Sequence, residues 1–479
     1  ACLYREGTEL YLPFIDALGQ YFETTKGEGA DGKREEAKKF IRDEAPELIE
    51  IARRFGTNIG FTRGESKLAS LDVDNQTARA RLFEGISQLL ILISKGGRLV
   101  LLMDDLQWAD SASLGLLHYV ARSAAHHPLM IIATYRPEDL IASGREKVHP
   151  LVETMQRMSR EGLYQKMALE GLSSDDLLRM IESLFRRTAL SDDFLESLYR
   201  ETEGNPFFIL EVLKLLRDQG VLFESKGVWH TKREITREDI PERIYDVVVR
   251  RIERLEEEQR ELLQLAAVEG ERFTLDVLAN VLNIPKIRLL KTFHRLERVY
   301  QIIKAEGDKY TFNHTKIREV LYAEIPDELR RAYHLAVGEY LETAHKDDPD
   351  SILSELANHF HSGEDFDRAF PYLVKAGDRA NRLFASKESC AYYEQALDSL
   401  EKANLIEDKE TLRKELLRKL GSSYELLGNL DSALESYEDC AQLSEQLNDA
   451  ETKAGALRRI GRISGKRNNW DSAMLHLET

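Results

Sequence analysis

Residues 98–111 read RLVLLMDDLQWADS, and this stretch decides the fold. Five apolar residues, Leu99–Met103, are followed at once by two adjacent acids, Asp104 and Asp105. Such an apolar run is typical of a strand buried in a parallel sheet, and ligands bind at the carboxyl ends of these strands. Two carboxylates at that edge can hold Mg²⁺ and polarise a water beside a phosphate chain. We therefore expect Asp104 to hold Mg²⁺ through water and Asp105 to polarise the attacking water.

The segments around this stretch predict a parallel sheet. A helix that begins at Asn75 carries its apolar residues at helical spacing and ends at Gly96-Gly97. A second amphipathic helix begins near Ser111, and Pro128 precedes a second apolar run, Leu129–Ala133. Strand, helix and strand within about forty residues form a right-handed βαβ crossover. The two apolar runs should therefore be neighbouring parallel strands.

The second predicted strand ends in ATYRP, which places Arg136 at the same sheet edge as the acids. A planar, permanently charged donor fork suits a γ-phosphate, so this is the role that we expect for Arg136. The alternative is a surface salt bridge to Glu138 or Asp139. The acids have an alternative as well, an Asp-rich turn in which Asp105 or Asp110 caps the next helix.

One segment, Gly27-EGAD-Gly32-Lys33, matches the G-x-x-x-x-G-K pattern of a phosphate loop literally. The residue that should supply a metal-binding hydroxyl is Arg34, and the preceding residues 14–26 look helical where the motif requires a buried strand. We therefore interpret the match as a Gly-rich connector. The true phosphate loop is then expected upstream of Ala1, in a chain truncated at both ends.

Size and composition exclude several classes of protein. A chain of 479 residues is too long for one core and suggests roughly three domains. Its 67 basic and 84 acidic residues give a net charge of −17, which disfavours a surface devoted to nucleic acid or anionic membrane. Cys2, Cys390 and Cys440 lack CxxC spacing, so neither disulfides nor zinc are indicated and a cytoplasmic location is expected. No apolar run approaches the roughly 18 residues of a membrane span.

The middle of the chain changes character twice. From about residue 150 to 255 helical periodicity dominates, with breaks at Gly204-Asn205-Pro206 and at Gly220. Residues 255–325 then predict three helices and a hairpin, the order of a winged helix-turn-helix. The predicted segments are Leu255–Glu269, Leu275–Leu282, Lys286–Val299, Gln301–Lys304 and Lys309–Phe312.

Beyond about residue 350 every segment reads as helix, and the last part contains an internal repeat. The segment Asn429-LDSAL-Glu435 recurs forty residues later as Asn469-WDSAM-Leu475. Small residues at helix crossings, such as Gly421, alternate with large apolar ones. The offset exceeds the roughly 34 residues of a tetratricopeptide unit, so longer helices are expected.

Five segments of the chain, taken in order, resemble the STAND-type predicted ATPases related to the Orc1-like AAA group. They are LVLLMDDLQWAD, IIATYRPED, GNPFFILEVLKLL, LLQLAAVEGERF and YTFNHTKIREVLY. Modules of that family occur beside bacterial adenylate cyclase, serine/threonine kinase and LuxR-type regulator domains. The resemblance implies a partial α/β AAA core lacking Walker A at 1–145 and a helical lid at 146–250. A winged helix at 251–325 and an α-solenoid of TPR-like repeats at 326–479 would follow.

The resemblance also implies roles for particular residues. Asp104 and Asp105 match the Walker B acids, and Arg136 matches the arginine after the next strand. Gly204 and Pro206 match the lid motif that packs near the adenine. His314 resembles the winged-helix histidine that touches the β-phosphate; a histidine that caps or packs at the start of helix Thr315–Ala323 is the alternative. ATP and Mg²⁺ are the implied cofactors.

The function so implied is a regulatory switch between ATP- and ADP-bound forms that slowly hydrolyses the β–γ bond. A protein or small-molecule effector would bind the repeats, and a nucleotide-dependent homo-oligomer would form without membrane contact. Residues 1–479 alone should bind ATP poorly and be inactive, because the loop that supplies most phosphate contacts is not among them.

Two other functions remain open. One is a winged-helix transcriptional regulator with a vestigial ATPase core. Four basic residues lie on one face of helix Lys286–Val299, opposite an apolar face, although the acidity of the chain argues against DNA binding. The basic residues are Arg288, Lys291, Arg295 and Arg298, and the apolar ones are Leu289, Leu290, Phe293 and Leu296. The other alternative is a non-catalytic scaffold of TPR-like repeats.

Overall fold

Contacts divide the chain into two units, residues 1–165 with 341–479, and residues 166–340. The computed structural model describes residues 10–24, 30–52, 75–140, 149–185, 190–225, 228–232, 249, 252, 253, 255–300 and 302–466.

The N-terminal part of the first unit is a small parallel sheet with helices packed on it. The helices form where apolar residues recur at helical spacing, and their buried faces share one core. In chain order the elements are α1 (Leu12–Thr24), α2 (Ala30–Asp43), the short α3 (Ile49–Ala52), α4 (Asn75–Lys95), β1 (Leu99–Met103), α5 (Ser111–Ala124), β2 (Leu129–Ala133) and α6 (Pro150–Arg160).

Strands β1 and β2 pair in parallel along their whole length, Leu99 opposite Leu129 and Met103 opposite Ala133. Their bounds and pairing confirm the βαβ crossover predicted from sequence. The burial expected of these strands is found on one face of the sheet only. Helices cover the face that carries Leu101 and Met103, whereas four apolar side chains of the opposite face are 42–69% exposed; they are Val100, Leu102, Met130 and Ile132.

The segment that imitates a phosphate loop contributes to a helix. Gly32 and Lys33 lie in the first turns of α2, so the connector that we expected does not extend through them, and residues 27–29 lie outside the described ranges. The preceding α1 is helical, as predicted. Arg34 donates two hydrogen bonds to the carbonyl oxygen of Phe22, at 2.6 and 3.1 Å, which ties α2 to α1.

The first half of the second unit packs three helices on an antiparallel strand pair. The elements are α7 (Ser174–Leu184), α8 (Asp192–Thr202), α9 (Pro206–Asp218), β3 (Leu222–Ser225) and β4 (Val228–Thr231). The strand pair corrects the purely helical prediction for this region. Each strand has four residues, too few for the alternation of a strand to stand out. Trp229 of β4 packs on Phe185 with ring centroids 4.8 Å apart.

The second half of this unit contains the predicted helices and hairpin with shifted bounds. The elements are α10 (Glu257–Glu269), β5 (Arg272–Phe273), α11 (Leu275–Val281), α12 (Lys286–Arg295), β6 (Ile303–Glu306), β7 (Lys309–Phe312), α13 (Thr315–Ala323) and α14 (Asp327–Ala344). The strand β5, which was not predicted, pairs with β7 in a sheet of order β5-β7-β6. The third helix ends at Arg295 and continues as a π-helical turn, Leu296–Tyr300. Leu289, Phe293 and Leu296 are buried, whereas Leu290 is 43% exposed at the margin of the apolar face.

Residues 353–466 of the first unit form successive helix pairs. The helices are α15 (Leu353–Ser362), α16 (Phe366–Arg382), α17 (Ser386–Lys402), α18 (Lys409–Leu427), α19 (Leu430–Gln446) and α20 (Ala450–Lys466). Helices α18 to α20 have 19, 17 and 17 residues, which agrees with the long helices expected from the repeat offset. The second sequence copy, 469–475, lies outside the described residues.

Glycine–tyrosine contacts define how the repeat helices approach one another. Gly377 of α16 faces the ring of Tyr393 on α17, and Gly421 of α18 faces Tyr437 on α19 in the same manner. Both tyrosines are buried. A Cβ atom at Gly377 would lie 2.5 Å from the Tyr393 ring, so only glycine permits this approach. The repetition shows that the repeats begin before the copy visible in sequence.

Cys390 and Cys440 are buried free cysteines in these helices. Among the helices that the structure describes, none combines the length and the apolar character needed to cross a bilayer.

Candidate functional site

The carboxyl ends of β1 and β2 bring Asp104, Asp105 and Thr134 together. The backbone ladder continues past the strands, because Thr134 N donates to Met103 O at 2.9 Å and Leu106 N donates to Thr134 O at 2.8 Å. The Thr134 hydroxyl donates to Asp104 Oδ1 at 2.7 Å and accepts the Asp105 amide at 3.1 Å. Thr134 therefore positions both acids, a role that the sequence reasoning missed.

Asp105 has a left-handed backbone conformation, with φ 55° and ψ 47°, and precedes a 3₁₀ turn, Leu106–Trp108. Non-glycine residues seldom occupy this region, although aspartate does so more readily than most. Within the turn, Gln107 donates to Asp105 Oδ1 at 3.0 Å and accepts the amide of Arg136 at 3.2 Å. Gln107 is 3% exposed, so this bridge between the two strand ends is shielded from water.

Arg136 forms an ion pair with Asp105, with 3.3 Å between the guanidinium and Oδ1. A longer contact of 4.0 Å joins it to Asp139, so the alternative of a salt bridge to Asp139 is also realised. The guanidinium carbon lies 5.2 Å from the centre of the Trp108 ring, a cation–π geometry. Both partners of the closer pair are about one quarter exposed. The structure thus places Arg136 beside the acids, as the sequence predicted.

Asp110, and not Asp105, caps the helix that follows. Its side chain accepts the amide of Ser113 at 2.8 Å and the hydroxyl of the same residue. Asp110 is 8% exposed, and burial together with the nearby carboxylate of Glu388 raises its pKa to about 7. The helix-capping alternative is therefore confirmed for Asp110, while Asp104 and Asp105 lie at the sheet edge and do not cap α5.

Carboxylates that could hold a metal are sparse at this edge. No group of three or more histidine, cysteine or acidic side chains suited to a metal ion occurs within the described part of the chain. Asp104 is exposed. Mg²⁺ is usually held by one or two carboxylates together with substrate phosphates and water, so an exposed acid such as Asp104 fits that chemistry.

In the second unit, Gly204 is fixed by backbone packing. Its φ is +70°, and a Cβ atom there would lie 2.2 Å from the carbonyl oxygen of Leu172. The Leu172 amide donates to the carbonyl of Gly204 at 2.8 Å. Asn205 caps α9 by accepting the amides of the residues after Pro206, and Pro206 itself is exposed at the start of that helix. These contacts account for the Gly-Asn-Pro break without a ligand.

His314 caps α13, its Nδ1 accepting the amide of Lys316 at 3.2 Å. Its ring stacks on that of Phe207 at 3.9 Å between centroids and 18° between planes. The alternative that His314 caps and packs is therefore confirmed. Because Phe207 follows Pro206 directly, the structure also brings these two predicted nucleotide-binding positions near one another.

The basic face of α12 is partly neutralised. Arg288 contacts Glu258 at 2.8 Å, and Arg295 contacts Glu256 at 3.6 Å. A helix that reads DNA must direct its basic side chains at phosphates and bases. These two arginines face acids of their own unit instead.

A family model of the AAA ATPase domain matches residues 2–132. The N-terminal part of the chain is an AAA ATPase domain. The match includes β1, α5 and the acids Asp104 and Asp105, and it confirms the α/β AAA core that the resemblance implied.

Two further comparisons cover more of the chain than residues 2–132. An uncharacterized protein of Rhizobium meliloti (strain 1021) is 24% identical over 392 residues, which are 78% of this chain and 35% of that protein. The chain thus spans about a third of the length of this curated relative. A solved STAND protein with a tetratricopeptide repeat sensor, from Pyrococcus horikoshii, is 14% identical with a TM-score of 0.36, over 90% of this chain and 74% of that one.

The strand ends of the AAA ATPase domain present two acids, one hydroxyl and one guanidinium within hydrogen-bonding reach of one another. The acids and the arginine were predicted from their places after apolar runs. Thr134 could have been found by the same signal, because it too follows the second strand. Gln107 and Trp108 carry no such signal, since their contacts depend on how the turn after Asp105 folds.

Proposed function

We propose that this chain is part of a signal-transducing ATPase that alternates between ATP- and ADP-bound forms. The observation that carries the proposal is the arrangement at the sheet edge of the AAA ATPase domain. Thr134 holds Asp104 at 2.7 Å, and Asp105 pairs with Arg136 at 3.3 Å. Acids and a guanidinium at this edge of a parallel sheet are suited to phosphate chemistry.

Each of these residues has a role in the proposed hydrolysis. Asp104 would hold Mg²⁺, which when bound neutralises negative charge on the phosphate oxygens. Asp105 would orient and polarise the attacking water, and Arg136 would bind the γ-phosphate. For that purpose Arg136 must leave Asp105, so nucleotide binding exchanges one anionic partner of the guanidinium for another. The exchange also frees the Asp105 carboxylate to accept a proton from water.

We further propose a lid at residues 146–250, which begins in the first unit and continues into the second, and a winged helix at 251–325. Gly204 and Pro206 would pack near the adenine, and His314 would contact the β-phosphate. The stack of Phe207 on His314 supports this proposal, because it links the start of α9 to the start of α13. A ligand that contacts one of these helix starts would then influence the other.

The repeats at 326–479 would bind a protein or small-molecule effector, since stacked helix pairs form a concave surface for partners. We further propose nucleotide-dependent self-association and a cytoplasmic location. Direct DNA binding through α12 is disfavoured, because Arg288 and Arg295 pair with Glu258 and Glu256.

Asp105→Asn in the intact native protein tests the proposed function. We expect ATP hydrolysis to fall about 10²-fold or more, since the amide cannot act as a base, while ATP affinity changes little. Asp43→Asn, at an exposed position of α2, is the matched control and should hydrolyse ATP normally. Unchanged hydrolysis in the Asp105→Asn variant would refute the catalytic role and favour the scaffold function.

A further inference from the structure

Glu388 of the repeat helix α17 bonds directly to the first residue of α5 in the AAA ATPase domain. Its Oε1 accepts the Ser111 amide at 2.6 Å and the Ser111 hydroxyl at 2.7 Å. The hydroxyl also lies 3.0 Å from Oε2. One repeat side chain thus satisfies both polar donors of Ser111, which is separated from it by 277 positions in sequence.

The position of this carboxylate strengthens the contact. Ser111 is the first residue of α5, and Glu388 lies in the first turn of α17. The carboxylate therefore lies at the N-terminal ends of two helices, where backbone amides and helix dipoles favour negative charge. Hydrogen bonds to an ionised acceptor are about twice as strong as neutral ones.

A second, buried contact joins the same two regions. Tyr11 directly precedes α1, and its hydroxyl donates to the carbonyl oxygen of Leu383 at 2.7 Å. Leu383, Ala380 and Ala385, at the end of α16 and start of α17, belong to the apolar core of the AAA ATPase domain. The Tyr11 amide also bonds to Asp110, the cap of α5. The repeats are therefore anchored at α5 by packing as well as by charge.

Backbone hydrogen bonds order the segment between the acids and the first turn of α5. The Leu114 amide bonds to Asp110 O at 3.1 Å, which begins α5. In the turn before it, the amides of Ala109 and Trp108 bond to Leu106 O at 3.1 Å and Asp105 O at 3.0 Å. Ser111 lies only six positions after Asp105, and these bonds restrain the backbone between them, so we expect a displacement of Ser111 to disturb Asp105.

From these contacts we infer that Glu388 is a positioning residue that couples the repeats to the nucleotide site. It holds the first turn of α5 in place, and thereby the left-handed conformation of Asp105. An effector that moves α17 must either break the bonds to Ser111 or move the Walker B turn with the helix. The inference rests on the proposed function of that site and assigns to it a route of regulation.

Hydrogen exchange on residues 1–479 tests the coupling without nucleotide. We expect Glu388→Ala to raise amide exchange in residues 105–114 roughly tenfold, the loss expected for bonds to a charged acceptor. Glu388→Gln keeps an acceptor oxygen without the charge and should give a smaller increase. Glu401→Ala, an exposed position of the same helix, is the control and should leave this segment unchanged.

Unchanged exchange in residues 105–114 of the Glu388→Ala variant would overturn the inference, as would an equal increase in the Glu401→Ala variant. If Glu388→Ala also raises exchange throughout α20, the unit has unfolded. The Ser111→Ala variant then tests the coupling, because it removes only the hydroxyl donor to Glu388. In the intact protein, Glu388→Ala should change the rate of ATP hydrolysis with little change in ATP affinity, and Glu388→Gln should restore most of it. Unchanged ATP hydrolysis in Asp105→Asn would refute the proposed function, whereas unchanged hydrogen exchange in Glu388→Ala would refute the coupling. The two failures are therefore distinguishable.

Discussion

Alanine at three glycines of the repeat helices should have opposite effects on stability. Gly377, Gly421 and Gly455 all lie inside helices, where alanine is favoured by about 1 kcal/mol. Nothing lies within 4 Å of a Cβ atom at Gly455, so that gain should be realised in full. A Cβ atom at Gly421 would lie 2.9–3.1 Å from the Tyr437 ring, and at Gly377 2.5–3.1 Å from the Tyr393 ring.

The two tyrosine rings cannot move aside freely. Both are 1% exposed, and the Tyr393 hydroxyl donates to Asp378 at 2.6 Å. Overpacking a well-packed core costs about 1–3 kcal/mol, which exceeds the helix gain most clearly at Gly377, where the contact is shortest. We expect Gly455→Ala to stabilise by about 1 kcal/mol. Gly421→Ala should destabilise by about 1 kcal/mol and Gly377→Ala by about 2 kcal/mol.

These differences in the free energy of unfolding can be measured by urea unfolding of residues 1–479, with the unfolding of α16 to α20 monitored by hydrogen exchange of their peptides. Heat unfolding should give the same order, with roughly 2–4 °C for each kcal/mol. Gly455→Ala is the internal control for helix propensity. If Gly377→Ala were as stable as Gly455→Ala, the close glycine–tyrosine approach would not determine how the repeats stack, and the reasoning would be refuted.

Two further predictions concern the two units separately. Burial and the neighbouring Glu388 raise the pKa of Asp110 to about 7 from an unfolded value near 4, so its contribution to stability should be complete below about pH 4 and be lost as the pH rises through 7. The urea concentration at the midpoint of unfolding should therefore decrease from pH 5 to pH 8, and it should decrease more in the wild type than in Asp110→Asn. Equal decreases in the two proteins would contradict the raised pKa of Asp110. In the second unit, Gly204→Ala should destabilise by several kcal/mol, since its Cβ atom would collide with Leu172 O and its φ is positive. Gly220→Ala, with positive φ and open space, should cost about 1 kcal/mol in heat or urea unfolding, and equal costs at the two positions would argue against the collision.

The strands and the acids of the AAA ATPase domain could be predicted from sequence because their signals are local. Gly96-Gly97 and Pro128 mark where β1 and β2 can begin, and five apolar residues fill each strand. Placing Asp104, Asp105 and Arg136 at one edge then required only the geometry of a parallel βαβ unit. The structure shows the two strands paired in parallel along their whole length.

The remaining contacts depend on where distant segments meet, which no local pattern encodes. The stack of His314 on Phe207 and the bond of Ser111 to Glu388 join residues more than 100 positions apart. The sequence suggested Glu138 and Asp139 as ion-pair partners of Arg136, yet its closer partner in the structure is Asp105. Competing pairings of similar strength are decided by the positions of the strand ends and not by residue type.

The uncovered face of the two-stranded sheet has a consequence for the behaviour of the chain in solution. Four neighbouring side chains form an apolar surface that is exposed to water, and hydrating this surface costs free energy. They are Val100, Leu102, Met130 and Ile132. Within the described residues this sheet has only two strands, and an apolar face open to water promotes association. The colloidal behaviour of residues 1–479 should therefore follow this small surface more closely than the net charge of −17.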